Sequence, residues 1–112
     1  MIFVFVEDGS LEIIADIKEA QRKYDGLDVE SGVFQFFDES GVYLKPKFTK
    51  PNRMGRFLGI FKWSKSGEFE LVPLLETDEN IDVYLTETNE LKSNRWFSDL
   101  QEVRQFLTKK AN

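Results

Sequence analysis

The sequence of 112 residues contains no histidine and no cysteine. These two side chains perform most of the general-base, nucleophilic and transition-metal chemistry that proteins carry out near pH 7. A catalytic site in this chain would need carboxylates with raised pKa values or a lysine with a lowered one. We therefore expect a protein that is not an enzyme, with no catalytic residues, no metal site and no cofactor.

The lack of cysteine also removes any disulfide framework of the kind common in small extracellular domains. Long apolar runs are missing as well. The apolar run at the start of the chain ends at Glu7 and has no basic residues before it, unlike a signal peptide or a membrane span. These features predict a cytoplasmic protein without membrane contact, formed by one domain over residues 1–112 that is long enough to bury a core.

Aromatic residues, by contrast, are plentiful, because the chain has 11 phenylalanines. Short runs rich in Ile, Val, Phe and Tyr are separated by turn signals such as Asp8-Gly9, which is typical of antiparallel hairpins. The predicted strands span residues 2–6, 11–15, 33–37, 42–48, 57–63, 68–75 and 81–86. Pro46 indicates that its strand is an edge strand or ends there, and residues 45–55 are predicted to be an irregular connection.

Two helices are predicted from capping signals and apolar spacing. Asp16 followed by Glu19 marks the start of the first helix, and Gly26 is its predicted stop. Ser98 with Gln101 marks the start of a second helix near the end of the chain. The predicted fold is therefore α+β, an antiparallel β-sheet meander with two short helices packed on it.

The predicted strands 57–63 and 68–75 form a hairpin through the loop at residues 64–67. Alternation places Phe57, Phe61 and Trp63 on one face. The same alternation places Phe69 and Leu71 on the matching face of the partner strand. These aromatic side chains are expected to lie in the core, so that Phe61→Ala would cost about 3–5 kcal/mol.

Charge is distributed unevenly along the chain. Residues 45–65 carry +7 with no acidic residue, and the other 91 residues carry −12. The seven cations of this stretch, called the basic segment below, are Lys45, Lys47, Lys50, Arg53, Arg56, Lys62 and Lys65.

Two interpretations of the basic segment remain open. In the first, its cations bind phosphates or an acidic partner, and the interleaved aromatic rings stack on unpaired bases. In the second, the aromatic rings face the core and the cations pair with acidic residues on neighbouring strands. The second is preferred, because alternation already accounts for the aromatics and a pI near 4.8 lacks the basic character of nucleic-acid-binding modules.

Acidic residues form two groups close in the sequence, at residues 25–30 and at residues 78–82. Neither group has the ordered Asp/Asn and Gly spacing of a calcium-binding loop. Both are therefore expected to be solvated turns rather than metal sites.

Residues 24–44 combine a helix signal, the motif Asp28-Val29-Glu30-x-Gly32, a strand, the turn Asp38-x-x-Gly41 and a second strand. This arrangement resembles a pattern in small, mostly uncharacterised bacterial proteins, some of which are encoded beside secreted toxins and are regarded as immunity proteins. The resemblance implies a bacterial protein that neutralises a toxin by binding it. Its motif is a hairpin signature, so it implies no functional residues.

A toxin-neutralising protein needs no chemistry, only a surface complementary to its target, and acidic residues would steer it toward a basic toxin domain. We therefore predict a small non-catalytic protein-binding protein of this kind. Its predicted contact residues are Asp25, Asp28, Glu30, Asp38, Glu39 and Tyr43. The alternative is a nucleic-acid or phosphate-binding module that uses Lys45, Lys47, Lys50, Arg53, Arg56 and Lys62.

Overall fold

The computed structural model describes residues 1–111, except for the side chains of Phe57 and of residues 109–111. Within these residues the chain forms eight strands and four helices, so the α+β class is confirmed. In chain order the elements are β1 (Ile2–Val6), β2 (Ser10–Ile14), α1 (Ile17–Lys23), α2 (Gly26–Glu30), β3 (Phe34–Asp38), β4 (Tyr43–Lys50), β5 (Arg53–Phe57), β6 (Phe61–Lys65), β7 (Glu68–Leu74), α3 (Ile81–Glu87), β8 (Glu90–Leu91) and α4 (Leu100–Ala111).

Six strands form one sheet in the order β7-β4-β3-β1-β2-β8, while β5 and β6 form a separate two-stranded ribbon. Neighbouring strands of the large sheet are antiparallel, except that β2 and β8 run parallel. Strand β1 lies inside the sheet, and both Phe3 and Val4 on its opposite faces are fully buried. Burial on both faces explains why the first strand is an uninterrupted apolar run.

Helices cover both faces of the large sheet. Alternation along β1 sends Val4 into one core cluster and Phe3 into the other. The first cluster is completed by α1 and α2 and the second by α3 and α4, through the buried residues Ala20, Tyr24 and Val29, and Leu85, Val103 and Leu107. The structure thus adds two helices to the two predicted from the sequence and places the sheet between two helical layers.

The first helix begins as predicted and ends earlier. The Asp16 carboxylate accepts a hydrogen bond from the Glu19 N–H at 2.8 Å, which caps α1. Tyr24 ends α1 in an extended conformation, so the prediction that Gly26 stops this helix is wrong. Gly26 instead begins the unpredicted helix α2, which is capped by the Asp25 carboxylate.

Residues 81–86, predicted as a strand, belong to helix α3. The Asn80 side chain accepts from the Asp82 N–H at 2.8 Å and caps the helix. Ile81, Tyr84 and Leu85 then lie at helical spacing and pack on the second core cluster. The cap and this packing outweigh the strand preference of the Ile, Val, Tyr and Thr side chains.

The final helix, α4, is confirmed, with a cap one residue later than predicted. The Asp99 carboxylate accepts from the Glu102 N–H at 2.9 Å, and the Glu102 carboxylate accepts from the Ser98 N–H at 2.8 Å. These two bonds satisfy backbone N–H groups at the start of α4, which is the role of a helix cap. Two of the residues at its predicted end, Lys109 and Lys110, have side chains outside the described part of the chain.

The predicted irregular connection at residues 45–55 is mostly regular strand. Strand β4 continues to Lys50, and β5 begins at Arg53. Pro46 lies within β4, beyond the two residues, Tyr43 and Leu44, that pair with β3. Past Leu44, β4 pairs with β7 alone, so Pro46 needs no hydrogen bond on its other side.

The outer edge of the sheet at β7 carries two features that hinder further strand pairing. The Leu71 N–H donates to the Gln21 side-chain oxygen at 2.9 Å, so this edge donor is occupied by α1. Pro73, two residues further along β7, has no N–H to offer. Strand β8 at the other edge is two residues long.

The predicted strand at residues 57–63 is wrong, because the chain reverses in the middle of it. Leu58 and Gly59 both have positive φ, at 55° and 72°, which is the backbone requirement of a tight hairpin turn. This turn pairs β5 with β6. Strand β7, the predicted partner, pairs with β4.

Candidate functional site

The predicted acidic contact residues fall into two groups at opposite ends of β3. Asp25, Asp28 and Glu30 lie at α2, before β3 begins. Asp38 and Glu39 lie where β3 ends, about 13 Å further along the sheet at the usual strand rise. The structure therefore brings the first three together and does not join them to the other two.

Asp25 and Asp38 already hold backbone structure. The Asp25 carboxylate accepts from the Leu27 N–H at 2.8 Å and from the Ser66 hydroxyl at 2.6 Å. The Ser66 bond and then the Leu27 bond hold the pKa of Asp25 below its ordinary value. The Asp38 carboxylate accepts from the Ser40 N–H at 2.8 Å and the Val42 N–H at 3.0 Å, which closes the hairpin turn.

The remaining three predicted contact residues differ in exposure. Asp28 and Glu30 are exposed, and the Glu30 carboxylate accepts from the Asn52 side chain at 2.9 Å. Tyr43 is half-buried, and its ring lies 5.5 Å from that of Phe37 in the second core cluster. Burial raises the pKa of the Tyr43 hydroxyl. The Tyr43 ring therefore contributes to the core.

All seven cations of the basic segment are exposed. Among the described side chains, one of the seven forms an ion pair within 4.0 Å, Lys50 with Glu68 at 3.4 Å. Both partners of that pair are largely exposed, so it contributes little stability. The prediction that the cations are neutralised by acidic residues on neighbouring strands is therefore wrong for most of the segment.

Two aromatic residues of the hairpin are exposed as well. Phe61 is 59% exposed and Trp63 is 49% exposed, so their predicted placement in the core is wrong. The backbone of Phe57 pairs with that of Phe61, but its side chain lies outside the described part of the chain. Phe69 and Leu71, predicted on the same core face, are buried.

Three further apolar residues of the hairpin were not singled out by sequence analysis. Met54, Leu58 and Ile60 are each about three-quarters exposed. The backbone of Leu58 has a positive φ, which is uncommon for a residue other than glycine. Gly59 is the turn signal in the sequence, although it lies in the interior of the predicted strand 57–63.

The hairpin β5–β6 stands away from the rest of the molecule. Every residue of β6 is exposed, on both faces of the ribbon, and the two strands pair only with each other. The radius of gyration is 15.7 Å, whereas a compact chain of this length would have about 13 Å. The molecule measures 56 × 27 × 23 Å, so it is elongated.

Asn52 fastens the base of the hairpin to α2. Its side-chain N–H group donates to the Gly26 carbonyl and to the Glu30 carboxylate, each at 2.9 Å. Its side-chain oxygen accepts from the Gly67 N–H at 2.6 Å. Gly67 passes so close to the opposite strand that an added Cβ would lie 2.0 Å from the Lys50 carbonyl oxygen. The two strands leaving the hairpin are thus held together and held against α2.

Like charges face each other across the ribbon. Arg53 pairs with Lys65 and Arg56 with Lys62 in the strand register. Such pairs destabilise a sheet slightly, and a two-stranded ribbon is marginal on its own. An anion bound between the cations would remove this repulsion.

The described residues form several other open clefts. A cleft of about 200 Å³ lies beside Phe5, Gly9 and Tyr84. Nowhere in the described part of the chain do three acidic side chains come together as a metal-binding group. None of the helices in the described residues has the length and apolar character that a bilayer crossing requires.

No family model, curated protein or solved structure matches this chain. Its function must therefore be inferred from its own geometry.

Proposed function

We propose that this chain is a non-catalytic binding protein and that the hairpin β5–β6 binds nucleic acid. The observation that carries this proposal is the combination, on one protruding ribbon, of exposed cations with exposed aromatic and aliphatic side chains. Cations attract phosphates, and aromatic side chains are the groups on which bases stack.

Charge complementarity favours an anionic ligand. Four cations lie on the two strands of the ribbon, and no acidic residue lies between Lys45 and Lys65. The acidic remainder of the molecule repels phosphates, but this repulsion is short-ranged in salt. A five-residue strand spans about 17 Å, which is roughly two Debye lengths at physiological ionic strength. The far end of the hairpin is therefore largely screened from the body.

The predicted acidic protein-binding surface has less support from the geometry. Its residues lie in two separate groups, and two of them, Asp25 and Asp38, cap or close local structure. Neutralisation of a basic toxin remains a prediction that rests on the sequence resemblance. The hairpin is preferred as the binding element because its exposed side chains have no local structural role of this kind.

The proposal is tested by fluorescence anisotropy with labelled oligonucleotides at increasing salt. A ligand held by four cations should give a logarithmic salt dependence with a slope of about −3. The variant with Arg53, Arg56, Lys62 and Lys65 all changed to Gln should lose binding. The matched control, Lys18→Gln with Arg22→Gln on α1, removes two exposed cations elsewhere and should bind nearly as well as the wild type.

Two outcomes would overturn the proposal. One is the absence of any association at about 50 mM salt, where electrostatic attraction is strong. The other is equal binding by the wild type and the four-cation variant, with folding of both confirmed by circular dichroism.

A further inference from the structure

One face of the hairpin concentrates the aromatic side chains. Alternation along β6 places Phe61, Trp63 and Lys65 on the same face of the ribbon. Arg53 shares this face because it pairs directly with Lys65. The opposite face carries Met54, Arg56, Lys62 and Ser64. The two faces therefore differ in kind, since one combines rings with cations and the other has cations without rings.

The Trp63 indole packs against the neighbouring strand. A Cβ added to Gly55, its partner in the register, would lie 2.6 Å from each of three indole atoms, Nε1, Cε2 and Cζ2. A point 2.6 Å from all three atoms lies out of the indole plane and beyond its Nε1–Cζ2 edge, so this edge of the indole overlies the Gly55 backbone. A residue with a side chain at this position would collide with the ring. The indole therefore packs against β5 through this edge, while Trp63 is still 49% exposed.

This arrangement suits an unpaired strand better than a duplex. Phe61 and Trp63 are two residues apart, about 6.7 Å along a strand. Stacked bases of a duplex follow one another at about 3.4 Å. An exposed ring on a sheet can receive a base on its free face, and neighbouring bases can occupy neighbouring rings only when they are splayed out from their stack. Double-stranded nucleic acid keeps its bases paired and stacked, so it cannot use such rings.

Cations are placed to hold the phosphates of the same strand. Arg53 and Lys65 lie opposite each other on the face that carries Trp63. They are two residues along the strands from the pair of Trp63 and Gly55. Both are exposed. A base on the indole would leave its flanking phosphates within reach of these two long side chains.

We propose that the hairpin face formed by Phe61, Trp63, Arg53 and Lys65 binds single-stranded nucleic acid, with one base stacked on the outer face of the Trp63 indole. This inference rests on the proposed function and deepens it, because it names the form of the ligand. Bases supply affinity through stacking on Trp63 and Phe61, and phosphates supply it through Arg53 and Lys65.

The test compares three labelled probes of equal length: an oligothymidylate, the same phosphate backbone without bases, and a duplex. The oligothymidylate should bind at least five-fold more tightly than the abasic strand, because stacking on an aromatic side chain strengthens binding by about that factor or more per base. It should also bind more tightly than the duplex. A single-stranded RNA of matching length should behave like the DNA, since stacking does not depend on the sugar.

Fluorescence and substitution locate the contact. The chain has two tryptophans, so Trp96→Phe leaves Trp63 as the sole reporter, and its emission should be quenched when the oligothymidylate binds. Trp63→Ala should weaken binding of the oligothymidylate at least five-fold and leave binding of the abasic strand unchanged. Because Trp63 lies outside both core clusters, this variant should fold normally.

The outcomes separate the two proposals. If none of the probes binds, the proposed function fails and this inference fails with it. If all three bind equally and Trp63 emission does not change, nucleic-acid binding stands and the stacking face is refuted. If sedimentation shows a dimer in which Trp63 is shielded from a neutral quencher such as acrylamide, the face is an interface between two copies of the chain, which also refutes the inference.

Discussion

Phenylalanine has two different roles in this chain. Phe36 is fully buried in the first core cluster, with its ring near those of Tyr24 and Phe69. Phe61, on the hairpin, is 59% exposed. Residue type is the same in both cases, and the energetic consequence of removal is set by the surroundings.

We predict that Phe36→Ala lowers the free energy of unfolding by about 3–5 kcal/mol, because it leaves a cavity in the core. Phe61→Ala should change it by at most about 0.5 kcal/mol, since an exposed ring has little packing to lose. Urea denaturation of both variants measures the difference. A large cost at Phe61 would show that its ring is packed in solution.

Tyr24 makes the free energy of unfolding decrease at alkaline pH. Its hydroxyl is buried and donates to the Glu12 carboxylate. Burial, and then this carboxylate, raise the pKa of Tyr24 well above its ordinary value of 10.0. The folded state therefore keeps the phenol neutral after the unfolded state has begun to ionise. The stability that comes from this difference is complete below pH 10 and is lost as pH rises above it.

We predict that Tyr24→Phe reduces the loss of stability above pH 10, because phenylalanine cannot ionise. Some loss should remain, since burial also raises the pKa of Tyr84. Urea denaturation of wild type and variant at pH 8, 10 and 11 checks this. Parallel losses in the two proteins would mean that Tyr24 ionises as readily in the folded state as in the unfolded one.

At the scale of elements, Asn52 determines how the hairpin is oriented. Its three hydrogen bonds reach α2 at Gly26 and Glu30 and the returning strand at Gly67. The hairpin itself pairs with no other strand of the described chain. Asn52, together with the Ser66 hydroxyl that donates to Asp25, thus connects a marginal ribbon to a well-packed body.

We predict that Asn52→Ala costs about 1–2 kcal/mol, the net value of one or two such hydrogen bonds. Amide exchange should accelerate in β5 and β6 much more than in β1, because the base of the ribbon is released. Gln105→Ala, at an exposed position of α4, is a suitable control. Uniform acceleration across all strands would indicate a general loss of stability rather than a local fastening role.

Local signals in the sequence predicted most elements, and long-range contacts account for those it missed. The cap at Asp16 and the turn at Gly41 were found because each depends on residues close in sequence. Helix α3 was missed because its apolar stripe is stabilised by packing against distant strands. The alternation places Phe61 and Trp63 on one face, as in the structure, but alternation does not show whether that face meets a core. That depends on β7 pairing with β4 instead of β6.

The same limitation explains the revised view of the candidate site. The uneven charge of residues 45–65 was visible in the sequence, and so were the rings of Phe61 and Trp63. The sequence does not show that these cations and rings are exposed together. Their exposure follows from a three-residue turn inside a run of apolar residues. The contact between the Trp63 indole and the Gly55 backbone could not be predicted either, since it requires the register that places Gly55 opposite Trp63.

At the scale of the whole molecule, the body and the hairpin should be separable. Among the side chains that the structure describes, none from the hairpin belongs to either core cluster. The strand ends at its base are already close, since the Gly67 N–H bonds to Asn52. As far as its side chains are described, the packed core lies in the body.

We predict that replacing residues 53–65 with two glycines leaves a cooperative fold. Its thermal midpoint should stay within about 4–8 °C of the wild type, which corresponds to about 1 kcal/mol for a domain of this size. Binding to oligonucleotides should disappear. Differential scanning calorimetry checks the first expectation and fluorescence anisotropy the second, and a broad, non-cooperative transition would show that the hairpin contributes to the core.

The edge of the sheet at β7, which hinders further strand pairing, affects how copies of the protein could aggregate. Fibrils and other ordered aggregates grow when the free edge of one sheet accepts a strand from another molecule. Here the Leu71 N–H is occupied by Gln21, Pro73 offers none, and the opposite edge is two residues long. Elongation of the six-stranded sheet from copy to copy is therefore obstructed at both ends, and we expect concentrated solutions to show no cross-β growth that starts from this sheet.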